Sequence, residues 1–383
     1  MTQRVAVLGA TGSIGRQTLE VLQREPERAR AVALAAGGDL EALVELARGV
    51  RPVALALETC ADPAAARARL EAASPNAVVW VGEGAAERLV RETELDTVVN
   101  GIVGAAGLRA SLATLERGAR LALANKETLV VGGPLVRARL AKGGELVPVD
   151  SEHSAAMQCL RGPVDEVRCL TLTASGGALR RHPDWRRATR DEVLRHPVWS
   201  MGRRITVDSA LLFNKGLELI EAQALFGLGW EQLDAVIHPQ ARIHAFIAYR
   251  DGSVIAQAAH ADMKLPIQLA LSWPERWGEA VPALSPLEFA NLEFEPLPAG
   301  RYPAFDLAVA AGRAGGTAPC ALNAADEIAV AAFLDGQLSL AQTVEVIERV
   351  MAQHRNEPVE SLEQLTRVDR WARETAHAEA VGT

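Results

Sequence analysis

Apolar and polar positions along this chain follow two alternating rhythms. Short apolar runs recur at Arg4–Leu8, Arg30–Ala36, Ala54–Leu57, Ala77–Val81, Thr97–Val99, Arg120–Ala124 and Leu146–Val149. Between them lie stretches with helical spacing, such as Arg16–Leu22 and Pro63–Ala73. Continuous apolar strands alternating with amphipathic helices predict a parallel sheet covered on both faces. The rhythm then changes. A further strand is expected over Arg168–Ala174, and Val236–Ala258 alternates around Asp251-Gly252, which predicts an antiparallel pair at one edge of a second sheet. An exposed edge of that kind is a natural dimer surface. From Ser209 onward Leu211, Leu212, Leu217, Leu219, Ile220 and Leu225 recur at helical period, with Asp208 placed as N-cap. Pro274, Pro282, Pro286, Pro296, Pro298 and Pro303 mark an extended linker. Helical patterns over Leu322–Leu334, Leu340–Met351 and Leu362–Trp371 then predict a small bundle. Asp326 and Glu327 read as acids of a first helical turn.

The expected fold class is therefore α/β, with three parts. A Rossmann-like parallel-sheet domain covers 1–150. An α+β domain with a mixed sheet covers 151–285, with a lid near 196–204. A linker over 286–311 leads to a C-terminal helical bundle over 312–383. A chain of 383 residues is too long for one ordinary core, which fits that division. No run approaches the roughly 18 apolar residues of a membrane helix. The opening MTQRVAVLGATGSIG enters a strand at once and leaves no room for a signal peptide. Cys60, Cys159, Cys169 and Cys320 lie far apart without CxxC spacing, as expected of a reducing cytoplasm. A net charge of -8 without a basic cluster, and only 4% aromatic residues, argue against nucleic acid as a partner.

Gly9-Ala-Thr-Gly-Ser-Ile-Gly15 lies between a strand and a helix, the setting of a dinucleotide fingerprint. Glycines admit a pyrophosphate to the backbone, and helix-start N–H groups favour its charge. The second strand ends in Gly37-Gly38-Asp39, where the adenosine ribose is sensed, and an acid there favours NADH over NADPH. Asn125-Lys126-Glu127 closes another strand at the edge where ligands of open α/β sheets collect.

Asp150 and Glu152 are two apart, so an extended backbone points both carboxylates one way. A third carboxylate from Glu218 or Glu221 completes an all-oxygen site for Mg²⁺ or Mn²⁺. Alternatively Ser151 caps a helix that begins here. Ser175-Gly176-Gly177 offers a hydroxyl and backbone N–H groups to a phosphate, or is a plain turn. The richest stretch is HPVWSMGRRITVDSALLFNKGLELIEA, His196 to Ala222. Asn214, Lys215, Glu218 and Glu221 share one helical face and can hold a phosphate beside a cation. His196, Trp199 and Met201 precede Gly202 with the character of a lid. The HPQ-RIH segment (His238 to His244) has metal-like spacing, but its alternation reads as packing.

GATGSIG, LANKE, PVDSEHSA, TASGG, HPVWSMG, VDSALLFNKGLELIEA, HPQARIH and LNAADEIAVAAFL stand in this order. Together they resemble the 1-deoxy-D-xylulose 5-phosphate reductoisomerase family of non-mevalonate isoprene biosynthesis, over nearly the whole chain. The resemblance implies an NADPH-dependent oxidoreductase that converts 1-deoxy-D-xylulose 5-phosphate to 2-C-methyl-D-erythritol 4-phosphate. Rearrangement comes first, by retro-aldol cleavage and re-addition, and hydride transfer follows. It also implies a cytoplasmic homodimer, a phosphorylated ketose substrate and a divalent metal (magnesium or manganese). Carried over residue by residue, the metal ligands are Asp150, Glu152 and Glu218, with Glu221 as support. Lys126, Glu152 and His196 serve catalysis. Substrate contacts fall to Ser151, Glu152, Ser175, His196, Trp199, Met201, Ser209, Asn214, Lys215 and Glu218. Dinucleotide contacts fall to Thr11, Gly12, Ser13, Ile14, Gly37, Asn125, Glu127 and Gly202.

The chain departs from the family pattern in places. Gly38 and Asp39 stand where a Lys and an Asn are common, which removes a cation from the 2′-phosphate position. Arg203, Arg204 or another basic residue would have to compensate. Leu211, Ala178 and Ala241 replace a Thr, a Pro and a Ser, none of them an assigned ligand. Two other readings share the first domain: a homoserine- or semialdehyde-type NAD(P) dehydrogenase, and a non-catalytic nucleotide-sensing regulator. Neither requires the acidic set.

Overall fold

A computed structural model describes residues 2–199 and 201–382, so Ser200 of the expected lid lies outside the described residues. The chain forms two compact units. One comprises residues 1–128, 136–154 and 262–281; the other comprises 129–135, 155–261 and 282–383.

The first unit is built on seven parallel strands: β1 (Gln3–Leu8), β2 (Ala29–Ala36), β3 (Ala54–Leu57), β4 (Val78–Val81), β5 (Thr97–Asn100), β6 (Arg120–Leu123) and β7 (Glu145–Pro148). Their order is β4-β3-β2-β1-β5-β6-β7. The strands are Val-, Ala- and Leu-rich because both faces are covered, and Leu8, Leu34, Leu55 and Leu121 are fully buried. The chain winds outward from β1 to β4 and returns to place β5 on the other side of β1. That reversal opens the crevice where ligands of such sheets bind. Residues 262–281, read from sequence as part of the second domain, belong to this unit. Arg24 donates to the Ala280 carbonyl (3.1 Å), Arg120 to that of Leu271 (3.1 Å), and Lys264 pairs with Glu20 (2.8 Å).

The second unit holds β8 (Val167–Ala174), β9 (Leu233–Ile237), β10 (Ile243–Tyr249), β11 (Val254–Ala258) and β12 (Glu295–Pro296), in the order β11-β10-β8-β9-β12. β8 and β9 are parallel and the other pairs antiparallel, so the sheet is mixed. The hairpin β10–β11 lies where the alternation predicted, with β11 at the edge. Helices Pro303–Ala314, Ala318–Leu334, Leu340–Gln353 and Leu362–Val381 belong to the same unit. A core containing Phe213, Ala308, Leu322, Ile347 and Ala372 joins all four of them to the segment between β8 and β9.

Three expectations are corrected. The proline-rich stretch read as a linker over 286–311 contains β12, paired with β9, and the start of helix Pro303–Ala314. Proline at a helix's first position is favourable, so Pro303 opens an element where composition suggested a spacer. Asp208 does not cap a helix: it lies within helix Arg203–Ala210, and the next helix, Phe213–Phe226, starts after Leu212 in the left-handed region (φ 53°). Asp326 and Glu327 both lie in the third turn of their helix, not the first. There they pair with Arg204 at 3.0 and 3.1 Å.

Candidate active site

In the first unit the turn Gly9–Gly15 links β1 to helix Ser13–Arg24. Gly9 has φ +73°, and a Cβ on it would lie 2.6 Å from the Gly101 carbonyl oxygen, at the β1/β5 reversal. A Cβ on Gly15 would lie 2.4 Å from the Gly9 carbonyl oxygen. Only glycine lets the turn close this tightly. Gly12 caps the helix without a side chain, and Gly12 and Ser13 are exposed while Thr11 and Ile14 are half-buried. The helix-start N–H groups therefore face outward, ready for an anion. Gly37, Gly38 and Asp39 are exposed at the end of β2. Asp39 Oδ1 accepts the Ala42 N–H at 3.0 Å, so this acid caps the following helix.

The Asn125 side chain is buried and engaged within the protein. It donates to the carbonyls of Ile102 and Gly104 and accepts from the N–H and hydroxyl of Thr128 (2.9 and 2.6 Å). It thus fixes the loop after β5, and Glu127 Oε2 lies 3.1 Å from the same amide nitrogen, sharing one of its two hydrogens. Lys126 is buried beside it, with Nζ 2.8 Å from Asp150 Oδ2.

Asp150 does not lie in an extended segment: helix Ser151–Cys159 begins directly after it. Asp150 Oδ1 accepts the Glu152 N–H (3.2 Å), so Asp150 rather than Ser151 caps this helix. The same oxygen lies 2.9 Å from Nδ1 of fully buried His153. The Ser151 hydroxyl donates to Glu152 Oε2 at 2.7 Å. Two carboxylates, an ammonium and an imidazole thus gather within four residues and one strand end. His153 supports Asp150 through that Nδ1 contact.

In the second unit Ser175, Gly176 and Gly177 follow β8, both glycines at positive φ. Arg301 pins the next stretch by donating to the carbonyls of Leu179 (3.1 Å), Arg180 and His182. No pattern in the sequence flagged Arg301. Ser175 Oγ accepts the Gly177 N–H (3.2 Å) and lies 3.0 Å from His196 Nε2. His196 Nδ1 accepts the N–H groups of Val198 and Trp199, so the ring proton sits on Nε2 and points at Ser175. Burial pushes the His196 imidazole below its ordinary range, which keeps it neutral. Ser175 Oγ already accepts twice, so its own proton is left to donate to an anionic oxygen.

Trp199 tilts against His244 with ring centroids 6.4 Å apart, and Met201 is half-buried. Gly202 starts helix Arg203–Ala210, whose last turn carries Ser209. Asn214 and Lys215 open helix Phe213–Phe226, and both donate to Glu218, Asn214 at 2.5 Å. Glu221 is fully buried one turn further on. Arg204, a candidate to compensate for Gly38, is instead committed to Asn323, Asp326 and Glu327. His238 is a packing residue: Nδ1 bonds the Glu293 carbonyl (2.8 Å), Nε2 accepts the Arg242 N–H (3.0 Å), and the ring stacks on Phe294.

Residues 5–133 match the family model for 1-deoxy-D-xylulose 5-phosphate reductoisomerase. Residues 146–226 match the family's C-terminal domain model, and 259–375 match the DXP reductoisomerase C-terminal domain. The chain is 46% identical to the 1-deoxy-D-xylulose 5-phosphate reductoisomerase of Moorella thermoacetica, covering 100% of this chain and 99% of that one. It is 47% identical to the enzyme of that name from Rhodococcus jostii, covering 97% and 93%. A crystal structure of DOX-P reductoisomerase in complex with NADPH, fosmidomycin and magnesium superposes with a TM-score of 0.92 at 36% identity, covering 99% and 98%. The Zymomonas mobilis enzyme in complex with NADPH gives 0.91 at 35% identity, covering 99% of each chain.

Proposed function

We propose, since the chain belongs to the 1-deoxy-D-xylulose 5-phosphate reductoisomerase family, a division of labour among its residues for that family's reaction. The protein is an NADPH-dependent oxidoreductase of isoprenoid precursor synthesis. It converts 1-deoxy-D-xylulose 5-phosphate to 2-C-methyl-D-erythritol 4-phosphate with a divalent cation.

The dinucleotide fits the first unit, because Gly9 and Gly15 let the turn close tightly and the helix beside it starts at Gly12 with no side-chain cap. Thr11, Gly12, Ser13 and Ile14 take the pyrophosphate, and Gly37 borders the adenosine ribose. Asn125 acts by holding the 102–104 backbone, while Glu127 and Gly202 are further contacts. When bound, NADPH supplies the hydride. Asp150, Glu152 and Glu218 hold the cation. Three carboxylates are the hard oxygen donors that Mg²⁺ or Mn²⁺ prefers, and the cation supplies Lewis-acid polarisation of the ketone and its neighbouring hydroxyl.

Ser175, Ser209, Asn214 and Lys215 bind the substrate phosphate. The observation that carries this assignment is the committed acceptor state of Ser175, whose one free proton suits an anion. His196, kept neutral, orients Ser175 and, with Ser151, borders the substrate's hydroxyls. Lys126 and Glu152 handle protons at the reacting hydroxyls. Trp199 and Met201 exclude water. Binding energy from a phosphate distant from the reacting carbons orients them. Exposed Val254 and Ile255 on edge strand β11 support a homodimer. Among the described residues no helix is long and apolar enough to cross a membrane.

The test is turnover of 1-deoxy-D-xylulose 5-phosphate with NADPH, with and without a chelator. Activity that requires added Mg²⁺ or Mn²⁺ is expected. Turnover indifferent to chelation, or none with metal supplied, would overturn the reading.

A further inference from the structure

The structure assigns recognition of the dinucleotide's 2′-phosphate to Arg16; the inference rests on the NADPH reading above. The exit of β2 carries no cation of its own, and Arg69, which reaches it from the next helix, is paired with Glu41 (2.6 Å). Gly38 has no side chain, and a Cβ there would lie 2.8 Å from Thr59 Oγ1. Asp39, the residue that would favour NADH, is turned to the Ala42 N–H. Two other acids at this edge are also turned to helix starts, and Glu41 is paired with Arg69. Asp62 Oδ1 accepts from Ala64 and Ala65 (both 3.0 Å), and Glu58 accepts from Gly84 (2.9 Å) and Ala86 (2.7 Å). In the loops and first helical turns that follow β1, β2 and β3, the one Lys or Arg is Arg16.

Arg16 is exposed, yet it does not trail along its helix. Its Nε donates to the Thr11 carbonyl at 3.1 Å, which folds the guanidinium back over the Gly9–Gly15 turn. That turn adjoins the exit of β2: Leu8 is in register with Ala35, and the Ala10 N–H donates to the Ala35 carbonyl at 2.8 Å. Gly37, just beyond, has open space where a Cβ would be. Anchoring through Nε leaves both terminal nitrogens of Arg16 for a phosphate, the paired geometry in which guanidinium binds such groups best. The pyrophosphate is already served by the helix-start N–H groups. The charge that the end of β2 lacks is thus delivered from the β1 turn.

Dissociation constants for NADPH and NADH, from the fluorescence of the bound dinucleotide, test this in the wild type and in Arg16→Gln, Arg16→Lys and Asp39→Asn. Thermal melting of each free protein checks the fold. Arg16→Gln should weaken NADPH about 10- to 100-fold, as loss of a charge-assisted pair does, and NADH by less than about threefold. Arg16→Lys should recover part of the loss, because the charge is kept. Asp39→Asn retains the cap, removes a nearby negative charge, and should tighten NADPH a few-fold with no effect on NADH. Equal weakening of both dinucleotides by Arg16→Gln would move Arg16 to the pyrophosphate and overturn the assignment. Unchanged NADPH affinity would overturn it as well. A wild-type protein that binds neither dinucleotide would overturn the functional reading, and this assignment with it.

Discussion

Gly177 lies so close to the helix carrying Ser209 that a Cβ on it would sit 2.3 Å from the Ser209 carbonyl oxygen. Its φ of +65° adds strain for any other residue. The Ser175 turn and the Ser209 helix end are therefore set against each other by one missing methyl group.

Gly177→Ala should separate the two hydroxyls. Stability should fall by about 1–3 kcal/mol, and the KM for the phosphorylated ketose should rise on the order of 10- to 100-fold. Steady-state kinetics with urea unfolding checks both. An unchanged KM would remove Ser175 or Ser209 from the phosphate site.

Glu218→Gln keeps the shape and loses the charge. Turnover should drop roughly a thousandfold, the several kcal/mol a bound cation supplies, while the melting temperature stays near that of the wild type. Calorimetric titration with Mn²⁺ should show the weakened site. Near-normal activity would transfer the ligand role to Glu221.

Lys126→Met breaks the buried pair with Asp150. Unfolding free energy of the metal-free protein should fall by roughly 3–5 kcal/mol, because one buried charge loses its partner. The double variant with Asp150→Asn should lose less than the sum of the two single changes. Strict additivity would mean that the pair is not coupled.

His196, His238 and His354 are all held below the ordinary value of 6.5, chiefly by burial. A histidine with a depressed native pKa binds protons less readily folded than unfolded. Its contribution is complete above pH 6.5 and is lost as the pH falls below that toward the native value. Urea midpoints should therefore decline below pH 6.5, and His238→Gln should flatten the decline. At Nε2 of His238 a proton would displace the Arg242 N–H. An equally steep decline in that variant would exclude His238 from the effect.

Much of this architecture was legible because periodicity reports burial. Ala54–Leu57 was bounded from its apolar run alone, and the β10–β11 hairpin from alternation around Asp251-Gly252. The glycine fingerprint was legible because its neighbours forbid a Cβ. What stayed hidden is tertiary. The break at Leu212 carries no glycine or proline signal, so the apolar period ran through it and Asp208 was misread as a cap. Asp39 has the position of a ribose reader, but its short side chain reaches the Ala42 N–H first. Asp326 and Glu327 looked like helix-start acids because Arg204 and Arg373, their partners, are far away in sequence. The return of 262–281 to the first unit depends on contacts that no local window contains.

Each unit also pairs one of its candidate metal ligands with a lysine. Asp150 meets the ammonium of Lys126, and Glu218 meets that of Lys215. Neither acid is left as a bare anion waiting for an ion to make folding tolerable. The cation is thus expected to serve the chemistry and not the fold, so the metal-free protein should already be folded before any ion binds.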